Sequence, residues 1–136
     1  MELTREYLTD LVYKVNGAAI SVHKILGPGL LESVYHRCMV YELAKRQIKF
    51  NAQVSVPVDY GDVRIGVDLR CDLLIEDVLV VELKAVEKIM PIHIAQLLTY
   101  MKLLHSPIGL MINFNSTHIF SEGQKTYVNE LYECLY

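Results

Sequence analysis

Val67-Asp68-Leu69-Arg70-Cys71-Asp72-Leu73-Leu74-Ile75-Glu76-Asp77-Val78-Leu79-Val80-Val81-Glu82-Leu83-Lys84 is the stretch whose reading decides the fold. Two apolar runs, Val67–Ile75 and Val78–Lys84, flank the acidic pair Glu76-Asp77. Short apolar runs bounded by turn residues read as buried strands, and the pattern predicts strands over Arg64–Ile75 and Val78–Lys84. Asp72 sits inside the first; Glu82 and Lys84 close the second. An unpaired charge in apolar surroundings is strongly disfavoured, so such groups are paired, bound to metal or exposed at a cleft. That cost marks them as candidate site residues.

Glu82 and Lys84 are two apart on a strand and project from one face. Whether Asp72 joins them depends on the hairpin register. If Asp72 faces Glu82, then Ile75 opposes Leu79, Glu76-Asp77-Val78 forms a three-residue loop, and the two carboxylates lie roughly 5 Å apart at Cβ. A two-residue Glu76-Asp77 turn instead pairs Asp72 with Val81 and sends Glu82 to the other face. In the first register the carboxylates repel by about 3 kcal/mol at an effective dielectric near 20. A shared proton or a cation relieves this, and all-oxygen ligands point to Mg²⁺ or Mn²⁺ rather than zinc. The bland alternative is a cross-strand ion pair of Lys84 with Asp72 or Glu82 on a solvated face.

Outward from these strands, Pro91 suits a first helical position and predicts a helix running to His105. His93, Gln96 and Tyr100 share one face of it, with Ile94, Leu97, Leu98 and Met101 on the apolar side. Such a helix can lay its polar face beside the carboxylates. Gln96 is then placed for the attacking water or a phosphate, and Tyr100 for a phosphate or for support of Gln96. Upstream, Gly27-Pro28-Gly29 ends a predicted helix over Thr4–Leu26, and a second is predicted over Leu30–Arg46 with Leu31, Val34, Tyr35, Cys38, Met39 and Leu43 inward. Glu32 falls in its first turn, where the helix dipole alone favours an acid. Tyr35 lies three residues on, close to the same face.

From Ala52 the period becomes two, with Val54, Val56 and Val58 alternating, and Tyr60-Gly61-Asp62 signals a hairpin. Beyond the third helix, Ile108–Phe114 reads as a buried strand, Thr117–Phe120 as a short one and Gln124–Leu135 as a closing helix. The order ααβββαββα predicts an α/β (α+β) fold, a mixed central sheet with helices on both faces, in one domain over residues 1–136.

The 136 residues are 52% hydrophobic, which excludes a disordered chain, while no apolar run reaches the length of a membrane span. Three widely spaced cysteines, Cys38, Cys71 and Cys134, fit reduced core residues of a cytoplasmic protein rather than a disulfide framework or zinc site. A net charge of −3 argues against a sequence-independent nucleic-acid coat. It is compatible with a nuclease whose carboxylates offset a local basic rim. Lys45-Arg46-Gln47-Ile48-Lys49 offers such a rim, or simply cations at a helix end.

Together these residues resemble the PD-(D/E)XK nuclease superfamily, and within it the GxxExxY proteins. Gly29, Glu32 and Tyr35 match the pattern that names that family. Asp72, Glu82 and Lys84 match the superfamily signature, and Gln96 and Tyr100 match the QxxxY element of one exonuclease branch. Cys71 stands where the signature has proline. The resemblance implies a four-stranded mixed, restriction-endonuclease-like core. It implies Mg²⁺ (or Mn²⁺) on Glu32, Asp72 and Glu82, and water activation by Lys84. Asp72, Glu82, Lys84, Gln96 and Tyr100 form the expected catalytic set, with His93 and Tyr35 on the substrate side. The expected reaction is hydrolysis of phosphodiesters in DNA, or RNA, by a metal-activated water. The alternative is a catalytically silent module that binds nucleic acid or a protein. So small a domain offers little area to grip a duplex, so a homodimer or a larger protein partner is expected.

Overall fold

Helical periodicity dominates the first third of the chain. In the computed structural model, which describes residues 2–136, α1 spans Arg5–Leu26 and α2 Glu32–Lys45. Thr4 caps α1, its side chain accepting the Tyr7 amide at 3.1 Å. Leu8, Leu11, Val15, Ala18, Ala19 and Val22 form its buried stripe. On α2 the buried apolar stripe is narrower than the pattern predicts: Tyr35, Met39 and Leu43 turn inward, whereas Leu31 and Val34 are exposed. Spacing of four residues keeps only that one stripe in contact with the sheet.

The middle of the chain forms β1 (Phe50–Ser55), β2 (Val58–Tyr60), β3 (Val63–Ile65), β4 (Arg70–Ile75) and β5 (Leu79–Lys84). The strand expected over Arg64–Ile75 is therefore two. Pro57 lacks the amide a ladder needs, and after it β2 and β3 pair only with each other as an exposed ribbon. After α3 (Pro91–Leu103) comes β6 (Ile108–Asn113). The strand expected at Thr117–Phe120 is instead a loop leading into a π-helical turn, Ile119–Gly123. The closing helix expected over Gln124–Leu135 is instead a strand, β7 (Gln124–Val128), followed by a short α4 (Glu130–Glu133). Thr126, Tyr127 and Val128 suit a strand, and pairing with β6 decides the outcome over local propensity.

The main sheet has five strands in the order β1-β4-β5-β6-β7, one more than the resemblance implies. β5 and β6 are parallel and joined through α3; the other neighbours are antiparallel. This is a mixed α/β sheet flanked by helices. α1 and α2 cover one face, packing on Leu73, Ile75, Leu79, Val81, Leu83, Leu110 and Ile112. α3 covers the other through a smaller cluster of Leu97, Tyr100 and Met101 with Val56, Cys71, Val80 and Met111. Gly109 permits that approach: a Cβ there would lie 2.6 Å from Met101 Sδ. No helix among the described residues is long and apolar enough to cross a membrane.

Candidate active site

The β4–β5 hairpin adopts the register that the site requires. Ile75 opposes Leu79 and Leu73 opposes Val81, with Glu76 and Asp77 at positive φ in the turn. Extending that register brings Asp72 beside Glu82. Regular pairing stops there: the Asp72 carboxylate, not a backbone carbonyl, accepts the Leu83 amide at 2.8 Å. On the other side the β1 ladder skips Gln53, which has φ 52°, between the pairs Ala52–Leu73 and Val54–Cys71. Asp72 thus stands where the sheet opens on both sides, which frees the carboxyl of a strand-interior acid from the ladder.

Glu82 is only 4% exposed, and its Oε1 is buried without a hydrogen-bond partner. Burial pushes its carboxyl up to about 9; the adjoining Asp72 carboxyl adds to the rise and Lys84 offsets part of it. A buried acceptor with no partner costs about 1–3 kcal/mol. A hard cation that takes oxygen ligands would relieve both the orphaned oxygen and the repulsion between carboxyls. These residues therefore fit a divalent ion.

Glu32 sits in the first turn of α2, where the charges of the pair's neighbourhood act on it. It remains solvent-accessible, but partial enclosure pushes its carboxyl up; Lys84, His36 and His93 counter that rise and Asp72 adds to it. Glu32 therefore feels Asp72 and Lys84, the same two groups that act on Glu82. Among the described residues, no three His, Cys, Asp or Glu side chains come together as a group that could hold a metal ion, so the expected trio of Glu32, Asp72 and Glu82 is not assembled around one point. Mg²⁺ does not demand such a trio, since it commonly uses one or two carboxylates and keeps several waters.

From the α3 side, Tyr100 is 7% exposed, and burial followed by the charge of Glu82 raises its hydroxyl pKa. Tyr100 is thus a protonated donor at neutral pH. Gln96 lies one turn earlier and is exposed. His93 stands at the rim, its Nδ1 accepting the Met90 amide at 3.0 Å and so fixing the start of α3.

Tyr35 turns inward, as the helical spacing predicts, and not toward the substrate side where the resemblance put it. It is 0% exposed and stacks on Phe114 with centroids 4.6 Å apart. Its hydroxyl donates to Gly27 O and accepts the Leu30 amide at 3.1 Å. With both hydrogen bonds spent on the Gly27-Pro28-Gly29 loop, the ring presents no surface to substrate and instead anchors the entry to α2, where Glu32 sits. Cys71 is likewise buried, its thiol pushed up to about 12 by burial and by Glu82 and Asp72. It packs beside the site as an inert group.

Asn113 is a positioning residue that the sequence reading missed. It pairs with Lys84 across β5 and β6. Its Oδ1 accepts the amides of Val86 and Asn115 at 3.1 and 3.2 Å, and its Nδ2 donates to Val86 O at 2.9 Å. These bonds hold the segment that leaves Lys84. A polar residue near the end of the apolar run Ile108–Phe114 was the available signal.

A family model of the PD-(D/E)XK nuclease superfamily matches residues 9–126, a span holding every group described above. The chain belongs to the PD-(D/E)XK nuclease superfamily. Comparison with curated proteins and with solved structures returns no match. PD-(D/E)XK nucleases generally use divalent metals and bind nucleic acid. In this PD-(D/E)XK protein the carboxylates at the opening of β4 and β5 are the groups chemically suited to such an ion.

Proposed function

We propose that this protein is a divalent-metal-dependent nuclease of the GxxExxY type that hydrolyses phosphodiester bonds in DNA. The observation that carries the reading is Glu82: a 4% exposed carboxyl with an orphaned Oε1 beside Asp72. Without a cation such a group is destabilising, and its retention calls for a use. Asp72 and Glu82 would hold Mg²⁺ or Mn²⁺, joined by Glu32 from α2. When bound, the ion lowers the pKa of a water and neutralises phosphate charge.

The remaining steps belong to side chains of the chain itself. Lys84, on the Glu82 face and in the same electrostatic cluster, orients the attacking water and offsets charge building on the phosphoryl oxygens. Tyr100 donates from its protonated hydroxyl toward the acidic pair, and its ring keeps bulk water from Glu82. Gln96 presents an amide to the incoming water or to a phosphate oxygen. His93 faces substrate from the rim. A second copy of the chain, or a larger protein, supplies the grip on duplex DNA, in a cytoplasmic setting that keeps the cysteines reduced.

The test is cleavage of single- and double-stranded DNA with Mg²⁺ or Mn²⁺ by wild type, Glu82→Gln and Lys84→Ala. Loss of at least about a hundredfold in both variants is expected for groups acting at the reaction centre. Equal activity in all three, or no metal-dependent cleavage by wild type, overturns the reading and leaves a silent binding module.

A further inference from the structure

The main sheet ends in two edge strands, β1 and β7, and the two differ. Unpaired N–H and C=O groups along an edge are a template for another strand, and a bulge blunts that template. β1 is blunted, since its ladder skips Gln53 at φ 52°. β7 is not. Every residue from Gln124 to Val128 keeps register with β6, and the strand contains neither a proline nor a positive φ.

The ladder fixes which backbone groups of β7 face outward. Asn129 N donates to Pro107 O at 3.4 Å, one step beyond the Val128–Ile108 pair. Antiparallel partners alternate between bonded and non-bonded pairs. Lys125 and Tyr127 therefore bond to β6 as Asn129 does, while Thr126 and Val128 turn their N–H and C=O groups away from it. Among the described residues these outward groups make no backbone hydrogen bond elsewhere. Both residues are exposed, Val128 at 41%.

The strand is also complementary to itself. About a two-fold axis through Thr126, a second β7 runs antiparallel to the first. Thr126 then faces Thr126 of the second copy, Gln124 faces Val128, and Lys125 faces Tyr127. The two threonines exchange N–H···O bonds, and Val128 N meets Gln124 O at each end. Lys125 and Tyr127 form the non-bonded pairs, in which side chains lie closer. These two groups already attract: within one chain Lys125 Nζ lies 5.5 Å from the centroid of the Tyr127 ring. Lys125 is the one charged residue of β7, and this register sets it against a ring. Centring the axis on Lys125 would oppose two lysines, which is destabilising.

We propose that β7 is the surface through which two copies of this chain join, edge to edge, into one continuous sheet. The two-fold axis stands perpendicular to that sheet, so α3 of both copies lies on the same side. Five strand spacings separate the two β5 strands, which places the two Glu82 positions roughly 24 Å apart across the sheet. On the nuclease reading, two acidic pairs then face one substrate from the same side; the interface itself does not rest on that reading. A single five-residue strand pair covers less than the roughly 800 Å² per partner of a standard interface. The dimer is therefore weak, with an expected dissociation constant of about 1–100 μM.

The test uses the full chain without divalent cation or nucleic acid, so that it reads assembly and not cleavage. Sedimentation from roughly 1 μM to 1 mM gives the dissociation constant. Amide exchange at the two ends of that range locates the surface. The Thr126 and Val128 amides should slow by about fivefold or more in the concentrated sample, while those of Lys125 and Tyr127 stay protected in both. Thr126→Pro removes an outward N–H at an edge position that tolerates proline. It should keep its melting temperature and raise the dissociation constant about tenfold or more. Lys125→Glu, at an exposed position, sets an acid against the tyrosine ring and should weaken the dimer about fivefold or more. It decides the matter if Thr126→Pro fails to fold. A monomer up to about 1 mM, unslowed Thr126 and Val128 amides in a dimer, or a dissociation constant unmoved in either folded variant overturns the proposal.

Discussion

Replacing Glu82 by Gln should make the metal-free protein more stable, and the gain should grow with pH. The Glu82 carboxyl is raised to about 9 from an ordinary value of 4.5. Between those values the folded state holds a proton that the unfolded chain has released. The stability tied to this group is therefore complete below about pH 4.5 and falls as pH rises toward 9. One proton sets a limit of about 1.4 kcal/mol per pH unit. From pH 6 to 8 the limit is about 3 kcal/mol, and sharing of the proton with Asp72 reduces it to about 1–3 kcal/mol. Gln cannot titrate, so the wild type minus Glu82→Gln difference isolates the effect. At this chain length the widening gap corresponds to roughly 3–10 °C in melting temperature. The assay is thermal unfolding in EDTA at pH 6, 7 and 8. Saturating Mg²⁺ at pH 8 should then stabilise wild type by about 2.7 kcal/mol at a hundred times its Kd, and Glu82→Gln by much less. Parallel pH profiles for the two proteins would refute the assignment of a buried, proton-holding carboxyl.

Three further outcomes are expected. Tyr35→Phe, by orphaning the Leu30 amide and Gly27 carbonyl, should cost about 1–3 kcal/mol in denaturant titrations while leaving the substrate KM unchanged; a raised KM would mean that Tyr35 meets substrate after all. Asn113→Ala should cost about 1–3 kcal/mol for its lost hydrogen bonds and lower kcat more than it raises KM, because it positions the Lys84 segment; unaltered kinetics would leave it a purely structural residue. Light scattering at micromolar concentration should show a dimer, with a strictly monomeric species in the absence of other proteins counting against self-association.

What the sequence could reveal followed from how local its causes were. The β4–β5 register was available as one of two choices, because a one-residue slip moves Glu82 to the wrong face. The helix carrying His93, Gln96 and Tyr100 was legible from Pro91 and apolar spacing. The fate of Gln124–Leu135 was not: its alternation is weak, and the strand exists because β6 offers an edge. Leu31 and Val34 looked like core because they are apolar, yet the narrow stripe of α2 leaves them outside. The role of Tyr35 depended on a loop closing back on its hydroxyl, and that of Asn113 on a parallel neighbour far away in sequence. Spacing along the chain records neither of these contacts.

The smaller cluster beneath α3 has a consequence for motion. Leu97, Tyr100 and Met101 are what keep the Glu82 side of the sheet dry, and small clusters are the parts of a fold that open first. Ionisation of Glu82 and undocking of α3 are therefore linked equilibria: each lost proton favours the open layer, and each opening hydrates the carboxylate. Amide exchange in α3 should rise with pH more steeply than in α1, beyond the intrinsic base catalysis common to both, and Glu82→Gln should abolish the excess. Such an excess would identify α3 as the layer whose opening sets when the Glu82 carboxylate is charged.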